Sequence, residues 1–234
     1  MLQELRNALN ELGASYALAD KALQYQFPPT PGLILSSSTY LCVQLLNYVA
    51  ILARTDLPSS IFQWSNPQSA SYVHQSALPR AWVSVDASFH GKPFRFIGTH
   101  LESVDSTVRE QQGAELRAGP ANTSVPVIIA MDSNAQAFPR PQDPTYTDFI
   151  AAGYNDAWSE IFPRSPGFTC CQAQFVNNPV SQLFQRTNLI LTLGNVEAQN
   201  IALFGITPAS KTPEGLWPSD HAGVAAQMAV ERAE

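Results

Sequence analysis

Three short polar clusters in this sequence carry side chains that can do chemistry. Each lies where an apolar run ends or a turn begins: His100 after residues 94–97, Asp132 and Asn134 after residues 125–130, and Asp220 beside His221. Alone, each cluster is more typical of a turn, because Asp, Asn and Ser bond to their own backbone. Together, at the ends of successive predicted strands, they predict one site at one rim of a sheet. Carboxylates and imidazoles there can transfer protons, and the carboxylate and amide oxygens can bind a hard cation.

Taken in this order, the clusters resemble the endonuclease/exonuclease/phosphatase superfamily, which includes deoxyribonuclease I, abasic-site endonucleases, inositol-polyphosphate phosphatases and neutral sphingomyelinases. The resemblance runs from about Asn47 to the end of the sequence and is most specific between His100 and His221. It implies an α/β (α+β) fold, a four-layer αββα sandwich of two mixed β-sheets with outer helices, in one domain over residues 1–234. The interleaving of helices with adjacent strand pairs also favours two packed sheets over repeated βαβ units.

The resemblance implies a divalent-metal-dependent phosphoesterase, acting on phosphodiesters or phosphomonoesters, with Mg²⁺ or Mn²⁺ as cofactor. It gives each polar residue a role: Asp132 positions or deprotonates the attacking water, Asn134 contacts the phosphate or that water, Asp220 ligates the metal, His221 contacts the phosphoryl oxygens, and His100 supports the transition state from the other side. Asp132 and Asn134 face the same way only if their strand continues through Ser133, which the preceding apolar run predicts.

Two departures from the family pattern predict impaired activity. Asn188 stands where the family has the acid that orients the histidine, and an amide carries no charge to stabilise an imidazolium. The first two core strands, which supply an asparagine and a metal-binding glutamate, have no counterpart in this sequence. Glu4, within the triplet Leu2-Gln3-Glu4, is the sole candidate for that glutamate, but it falls in an amphipathic helical repeat and is expected to be a solvated first-turn residue.

Three alternatives remain open at this stage. The chain can be an active hydrolase, or a non-catalytic family member that acts as a phosphate-ligand or protein-binding module. An unrelated hydrolase is disfavoured, because the sequence has no Gly-x-Ser-x-Gly elbow. Two absent core strands would also leave an uncovered sheet edge, which predicts self-association or a partner at that edge.

Composition narrows the partners. The formal net charge is −6, and 14% of the residues are charged. A negative chain does not attract a polyanion, so the charge does not support nucleic acid as the substrate, although nucleic acid stays a candidate. The sequence contains no run of 18 apolar residues, so it predicts no membrane span. The N-terminus lacks a signal-peptide pattern, whereas the sequon Asn122-Thr123-Ser124 is compatible with secretion if an upstream segment exists, so the compartment stays open, as does the identity of the substrate.

The remaining expectations concern the cysteines and the loops. Cys170 and Cys171 are expected to be idle thiols, with a vicinal disulfide as the alternative, and zinc is disfavoured because no Cys or His pair has ligand spacing. Residues 26–38 are predicted to be a surface loop and residues 59–76 a loop or sheet edge. Arg109 and Gln112 match a family pattern, or else form the polar face of a helix.

Overall fold

A computed structural model describes residues 2–26, 30–36, 39–43 and 46–231, with side chains described over 5–26 and 46–231. The side chains of Glu4 and Cys42 lie outside the described part. The helices and strands follow in chain order: α1 Leu2–Glu11, β1 Tyr16–Gln26, β2 Thr30–Ser36, β3 Thr39–Val43, β4 Leu46–Arg54, β5 Phe62–Ser71, β6 Ala81–Phe89, β7 Lys92–His100, α2 Ser106–Ala118, β8 Val127–Asp132, α3 Pro144–Ala151, β9 Asn155–Asp156, α4 Ala157–Ile161, β10 Asn188–Leu193, β11 Val196–Phe204 and β12 Gly223–Val230.

The centre of the fold is a six-stranded mixed sheet in the order β5-β6-β7-β8-β10-β9. Strand β8 is parallel to β7, while its other neighbour, β10, runs antiparallel to it. The apolar run of β8 is buried on both faces: Val127 and Ile129 face one hydrophobic cluster, and Ile128 faces another. A strand that is covered on both sides has no need of polar alternation, which explains its continuous apolar sequence.

Different elements cover the two faces of this sheet. Helices α2 and α3 pack on one face, where Leu116 and Phe149 join a core with Ile97 and Leu191. The other face is covered by two antiparallel ribbons, β1–β4 and β11–β12, through two smaller clusters. Helix α1 lies against β1 and forms the outer layer on that side. The layers are therefore helix, sheet, sheet and helix, with the second sheet divided into separate ribbons.

A groove separates the two ribbons. Val49 and Ala50 of β4 form one wall, Gly223 and Val224 of β12 form the other, and the floor comes from β7, β8 and β10. Its volume is about 330 Å³. Within the described residues, β4 pairs with β1 alone and β12 with β11 alone, so each presents an unpaired edge to the groove.

Several local predictions are confirmed and others are wrong. Residues 59–76 were predicted to be a loop or a sheet edge, and the second is confirmed, because they contain the edge strand β5. The loop predicted over 26–38 instead includes β2, which forms a hairpin with β3. The strand predicted to continue through Ser133 ends at Asp132, because Ser133 turns away and its hydroxyl donates to the carbonyls of Ala135 and Thr187. No helix in the described part of the chain is both long and apolar enough to cross a bilayer.

Candidate active site

Strand register brings the first three site residues together. His100 ends β7 and is the parallel partner of Asp132, which ends β8. Asn188 begins β10 and is the antiparallel partner of the same Asp132. Neighbouring strands lie about 4.8 Å apart, so Asp132 stands between the other two residues at one rim of the sheet. Two residues of the predicted rim, His100 and Asp132, therefore lie side by side, and Asn188 joins them there.

A buried tryptophan and a short backbone pairing hold the second half of the site. Trp217 is almost wholly buried, and its indole N–H donates to the Asn178 carbonyl at 2.9 Å. Beyond it, Ala222 N donates to Thr169 O and Gln172 N donates to Asp220 O, both at 2.8 Å. The segment containing Asp220 and His221 is thus aligned along residues 169–172, which fixes where the imidazole can lie.

The His221 ring makes contact with the strand ends. Its Nδ1 is 2.7 Å from Asn188 Oδ1 and 3.8 Å from Asp132 Oδ2. An amide oxygen only accepts hydrogen bonds, so Nδ1 must carry the proton and donate it to Asn188. Nε2 then has a free lone pair when the ring is neutral. Asn188 therefore fixes the tautomer of this histidine, although an amide supplies no negative charge to stabilise its imidazolium.

His100 lies on the opposite side of Asp132, with Nε2 3.5 Å from Asp132 Oδ2. Arg80 Nη1 is 3.0 Å from its Nδ1, and a guanidinium can only donate, so the ring proton must lie on Nε2 and point towards Asp132. Burial first, and then the positive charges of Arg80 and His221, lower the pKa of His100 to about 4 against the opposing pull of Asp132. The imidazole is therefore neutral above about pH 5 and offers an N–H donor at the site.

Asn134 occupies the site differently from what the sequence predicts. Its backbone is in the left-handed region, with φ of 49°, directly after the end of β8. In this turn its N–H donates to Asp132 Oδ1 at 3.1 Å, while its side-chain amide donates to the Leu101 carbonyl at 2.9 Å. Asn134 thus orients the Asp132 carboxylate and connects the end of β8 to the residue that follows β7.

Asp220 is the most exposed of the predicted site residues. Its side chain is 60% accessible, and Oδ2 lies 4.0 Å from His221 Nε2. The other carboxylate oxygen has only a 3.4 Å contact with the Ser219 hydroxyl. An exposed carboxylate of this kind fits Mg²⁺, which takes one or two protein carboxylates and keeps several waters.

Other buried polar residues near the site were missed or underrated by sequence reasoning. Arg109 and Gln112 were set between a family pattern and a polar helix face, but both are buried. Gln112 accepts from Glu102 N at 2.8 Å, and Arg109 donates to Glu102 O at 3.0 Å. These two contacts hold the backbone of Glu102, just after His100, in place. The sequence around Arg80, just before β6, does not single it out as a site residue. The pairing of β6 with β7 brings its guanidinium to His100 Nδ1.

A buried ion pair fixes the start of β10. Arg186 contacts Asp156, and both side chains are 5% exposed or less. Tyr146 donates its hydroxyl to the same carboxylate at 2.9 Å. Removing either charge would leave the other buried without a partner, so the pair holds the approach to Asn188 in one position.

The two adjacent cysteines lie against the imidazole. Cys170 and Cys171 are paired as a vicinal disulfide, the alternative to the idle thiols that we expected. Cys171 Sγ is 3.9 Å from His221 Nε2, and Cys170 forms an isolated antiparallel bridge with His221. The other two histidines have different surroundings: His74 pairs with Glu115, and His90 is an exposed turn residue.

Comparison with known proteins supports the architecture. No family model matches this sequence, and no curated protein matches it. Among solved structures, an endonuclease/exonuclease/phosphatase from Bacteroides vulgatus is 16% identical with a TM-score of 0.65, covering 98% of this chain and 80% of that one. D. rerio TDP2 complexed with a single-strand DNA product is 16% identical with a TM-score of 0.61, over 96% and 81%. The Bacteroides thetaiotaomicron mannosyl-6-phosphatase Bt3783 is 17% identical with a TM-score of 0.54, over 77% and 70%.

Proposed function

Because the chain has the deoxyribonuclease I-like fold of the endonuclease/exonuclease/phosphatase superfamily, we propose that it is a divalent-metal-dependent phosphoesterase. One observation carries the proposal. Asp132 Oδ2 lies within 4 Å of both His100 Nε2 and His221 Nδ1 at the rim of the central sheet. A carboxylate between two imidazoles can accept a proton from water while N–H groups around it stabilise negative charge. The solved structures include hydrolases of phosphate esters, which agrees with this chemistry.

Each side chain has a defined part in the proposed reaction. Asp132, oriented by the Asn134 N–H, accepts the proton of the attacking water. His100 is neutral and donates from Nε2 towards the developing charge. His221 donates Nδ1–H to Asn188, so its Nε2 can donate to a phosphoryl oxygen only when the ring is an imidazolium. The proposed activity therefore depends on how well the site stabilises a positive charge on His221.

The metal requirement is part of the proposal. Asp220 would hold Mg²⁺ or Mn²⁺, and such a cation, when bound, neutralises charge on the phosphoryl oxygens. Glu102 offers no help as a ligand, because its buried carboxylate already accepts hydrogen bonds from Ser76 and from the backbone of Val104. We expect weak metal binding from a site with so few free carboxylates.

Hydrolysis of bis(p-nitrophenyl) phosphate tests the proposal. We expect turnover with Mg²⁺ or Mn²⁺, none with chelator, and loss of at least about a hundredfold in Asp132→Asn, since general base catalysis contributes about 10²–10⁴-fold. An unchanged rate in Asp132→Asn would refute the assigned site. A single-stranded oligonucleotide, a sugar phosphate and a lipid-headgroup phosphate, assayed in parallel, separate the substrate classes. The net charge of −6 gives nucleic acid no electrostatic support.

The uncharged Asn188 favours one second candidate, a non-catalytic module that binds a phosphorylated ligand or protein. Its cluster of two imidazoles and Arg80 would hold a phosphate without hydrolysing it. Binding of a non-hydrolysable phosphonate by calorimetry, without turnover of any phosphodiester, would favour this candidate.

We also propose self-association at the groove between the ribbons. The unpaired edges of β4 and β12 are templates for an extended segment from a second copy of the chain. Such a segment would pair with either edge and cover the apolar floor beneath it.

A further inference from the structure

The pair Cys170 and Cys171 lies against the one ring nitrogen of His221 that the site leaves free. One ligand atom from each of the three residues lies within 4.8 Å of the others. Cys170 is buried, while Cys171 and His221 are partly exposed, so an ion from solvent can reach the cluster from one side. The sequence disfavoured zinc here because no Cys or His pair has ligand spacing, and His221 is 50 residues from Cys171. The fold removes that objection by pairing their segments.

From this arrangement we infer that the reduced Cys170 and Cys171, together with His221 Nε2, form a binding site for a thiophilic cation such as Zn²⁺ or Cd²⁺. The inference rests on the proposed function for its consequence: the bound cation occupies the nitrogen that contacts the phosphoryl group and so inhibits hydrolysis. The site is distinct in chemistry from the oxygen site at Asp220, because thiolates select soft cations and carboxylates select Mg²⁺.

The distance between Cys171 and His221 fits a shared ion, whereas the two sulfurs, bonded to each other in the disulfide, must separate after reduction before both can bind it. Zn–S bonds are about 2.3 Å and Zn–N bonds about 2.1 Å, so two such ligands at a tetrahedral angle are about 3.6 Å apart. Cys171 Sγ and His221 Nε2 are 3.9 Å apart. A side-chain movement of a few tenths of an ångström closes that difference. A water can complete the coordination, as in open zinc sites.

The hydrogen bond on the far side of the ring supports the same conclusion. A metal-binding histidine usually donates its other N–H to a carboxylate or carbonyl oxygen, which fixes the tautomer and the ring orientation. His221 Nδ1 does this with Asn188 Oδ1 at 2.7 Å. The lone pair of Nε2 therefore points away from Asn188 and is available on the side where Cys171 lies.

The backbone holds together the two segments that carry the donors before any ion binds. Ala222 N to Thr169 O and Gln172 N to Asp220 O, both 2.8 Å, enclose Cys170, Cys171 and His221 in one paired unit. Because these segments are already paired, binding costs less entropy than it would if the segments had to be brought together.

The cysteines are paired as a disulfide, so binding needs a reductant first. A phosphine reductant supplies two electrons, breaks the S–S bond and leaves two thiols, with oxygen from water ending on the phosphine as its oxide. The divalent cation then replaces the two thiol protons, which are released to solvent. The oxidised chain has no thiolate at this position and cannot form the site.

The test uses Cd²⁺ and the whole chain. The protein is reduced with tris(2-carboxyethyl)phosphine, freed of reductant without air and titrated with Cd²⁺, while the ultraviolet thiolate-to-cadmium charge-transfer band is recorded. We expect one Cd²⁺ per chain, no band before reduction, and at least about tenfold weaker binding in His221→Gln, since partners of a metal site typically contribute 10–100-fold. Cys42→Ser, which removes the third cysteine, is the matched control and should bind as the unchanged chain does.

Activity is read separately from binding. With Mg²⁺ and a phosphodiester, Cd²⁺ should abolish turnover with the same midpoint as the absorbance, and a chelator that prefers soft cations should restore it. In the double variant Cys170→Ser with Cys171→Ser, the rates with and without Cd²⁺ should be equal. A band with stoichiometric binding but no hydrolysis under any condition refutes the phosphoesterase and keeps the metal site. Hydrolysis without a band, or an equal band in the double serine variant, overturns the inference.

Discussion

Replacing Asn188 with aspartate tests the central weakness of the proposed site. The amide oxygen already lies 2.7 Å from His221 Nδ1, so Asn188→Asp changes charge with almost no change in shape. A full negative charge about 3 Å from an imidazolium is worth about 5 kcal/mol at an effective dielectric of about 20. The gain must be smaller than that, because the His221 side chain is 21% exposed and the new carboxylate stands next to Asp132 in register. A gain of about 1.4 to 2.8 kcal/mol predicts about tenfold to a hundredfold faster turnover.

The assay is metal-dependent hydrolysis of bis(p-nitrophenyl) phosphate at saturating Mg²⁺. Asn122→Asp is the matched control: it adds the same charge at an exposed position before the far end of β8 and should leave the rate unchanged. Asp220→Ala in the Asn188→Asp background should abolish the gain. A folded Asn188→Asp protein that binds Mg²⁺ and hydrolyses no faster than the unchanged chain would refute the argument that the charge on His221 limits the reaction.

Further predictions concern protonation, stability and assembly. Burial and Arg80 lower the pKa of His100 to about 4 from its usual 6.5. Between these two pH values the unfolded state binds more protons than the folded state. The free energy of unfolding should therefore fall by up to about 3 kcal/mol as the pH drops from 6.5 to 4. Urea unfolding measures this, and His100→Gln should remove that part of the pH dependence. Asp156→Ala should lower stability by about 3–5 kcal/mol by removing the buried carboxylate partner of Arg186. Asp56→Ala, which breaks the exposed ion pair with Arg54, should cost much less, and equal losses would contradict the role of burial. Sedimentation should show concentration-dependent association through the β4 and β12 edges, and a monomer at high concentration would contradict it.

The convergence of the site could be predicted because it follows from strands that end together. His100, Asp132 and Asn188 each stand at a boundary between an apolar run and a polar loop, and hydrophobic patterning locates such boundaries well. Once β7, β8 and β10 are neighbours, the three residues meet at one rim. The α/β layers were predictable for the same reason. The division of the second sheet into ribbons was not, because pairing between distant strands leaves no periodic signal.

The parts of the site that sequence could not supply are contacts between distant segments. Arg80 contacts His100 across paired strands, and no pattern near either residue in the sequence predicts this contact. The turn at Asn134 depends on a left-handed backbone that the apolar run before it does not reveal.

Asn188 shows how such a contact can change the meaning of a substitution that sequence alone marks as a loss. An amide in place of an acid removes a charge, yet its oxygen accepts the Nδ1 proton of His221 and directs the Nε2 lone pair outwards. That nitrogen lies 3.9 Å from Cys171 Sγ, and once the disulfide is reduced, a free lone pair beside a thiol suits a soft cation better than it suits a phosphate. An aspartate at this position would favour the imidazolium, which cannot bind a metal. The same substitution that we expect to speed hydrolysis should therefore weaken Cd²⁺ binding at neutral pH, and measuring both on one Asn188→Asp preparation tests whether the two uses of His221 compete.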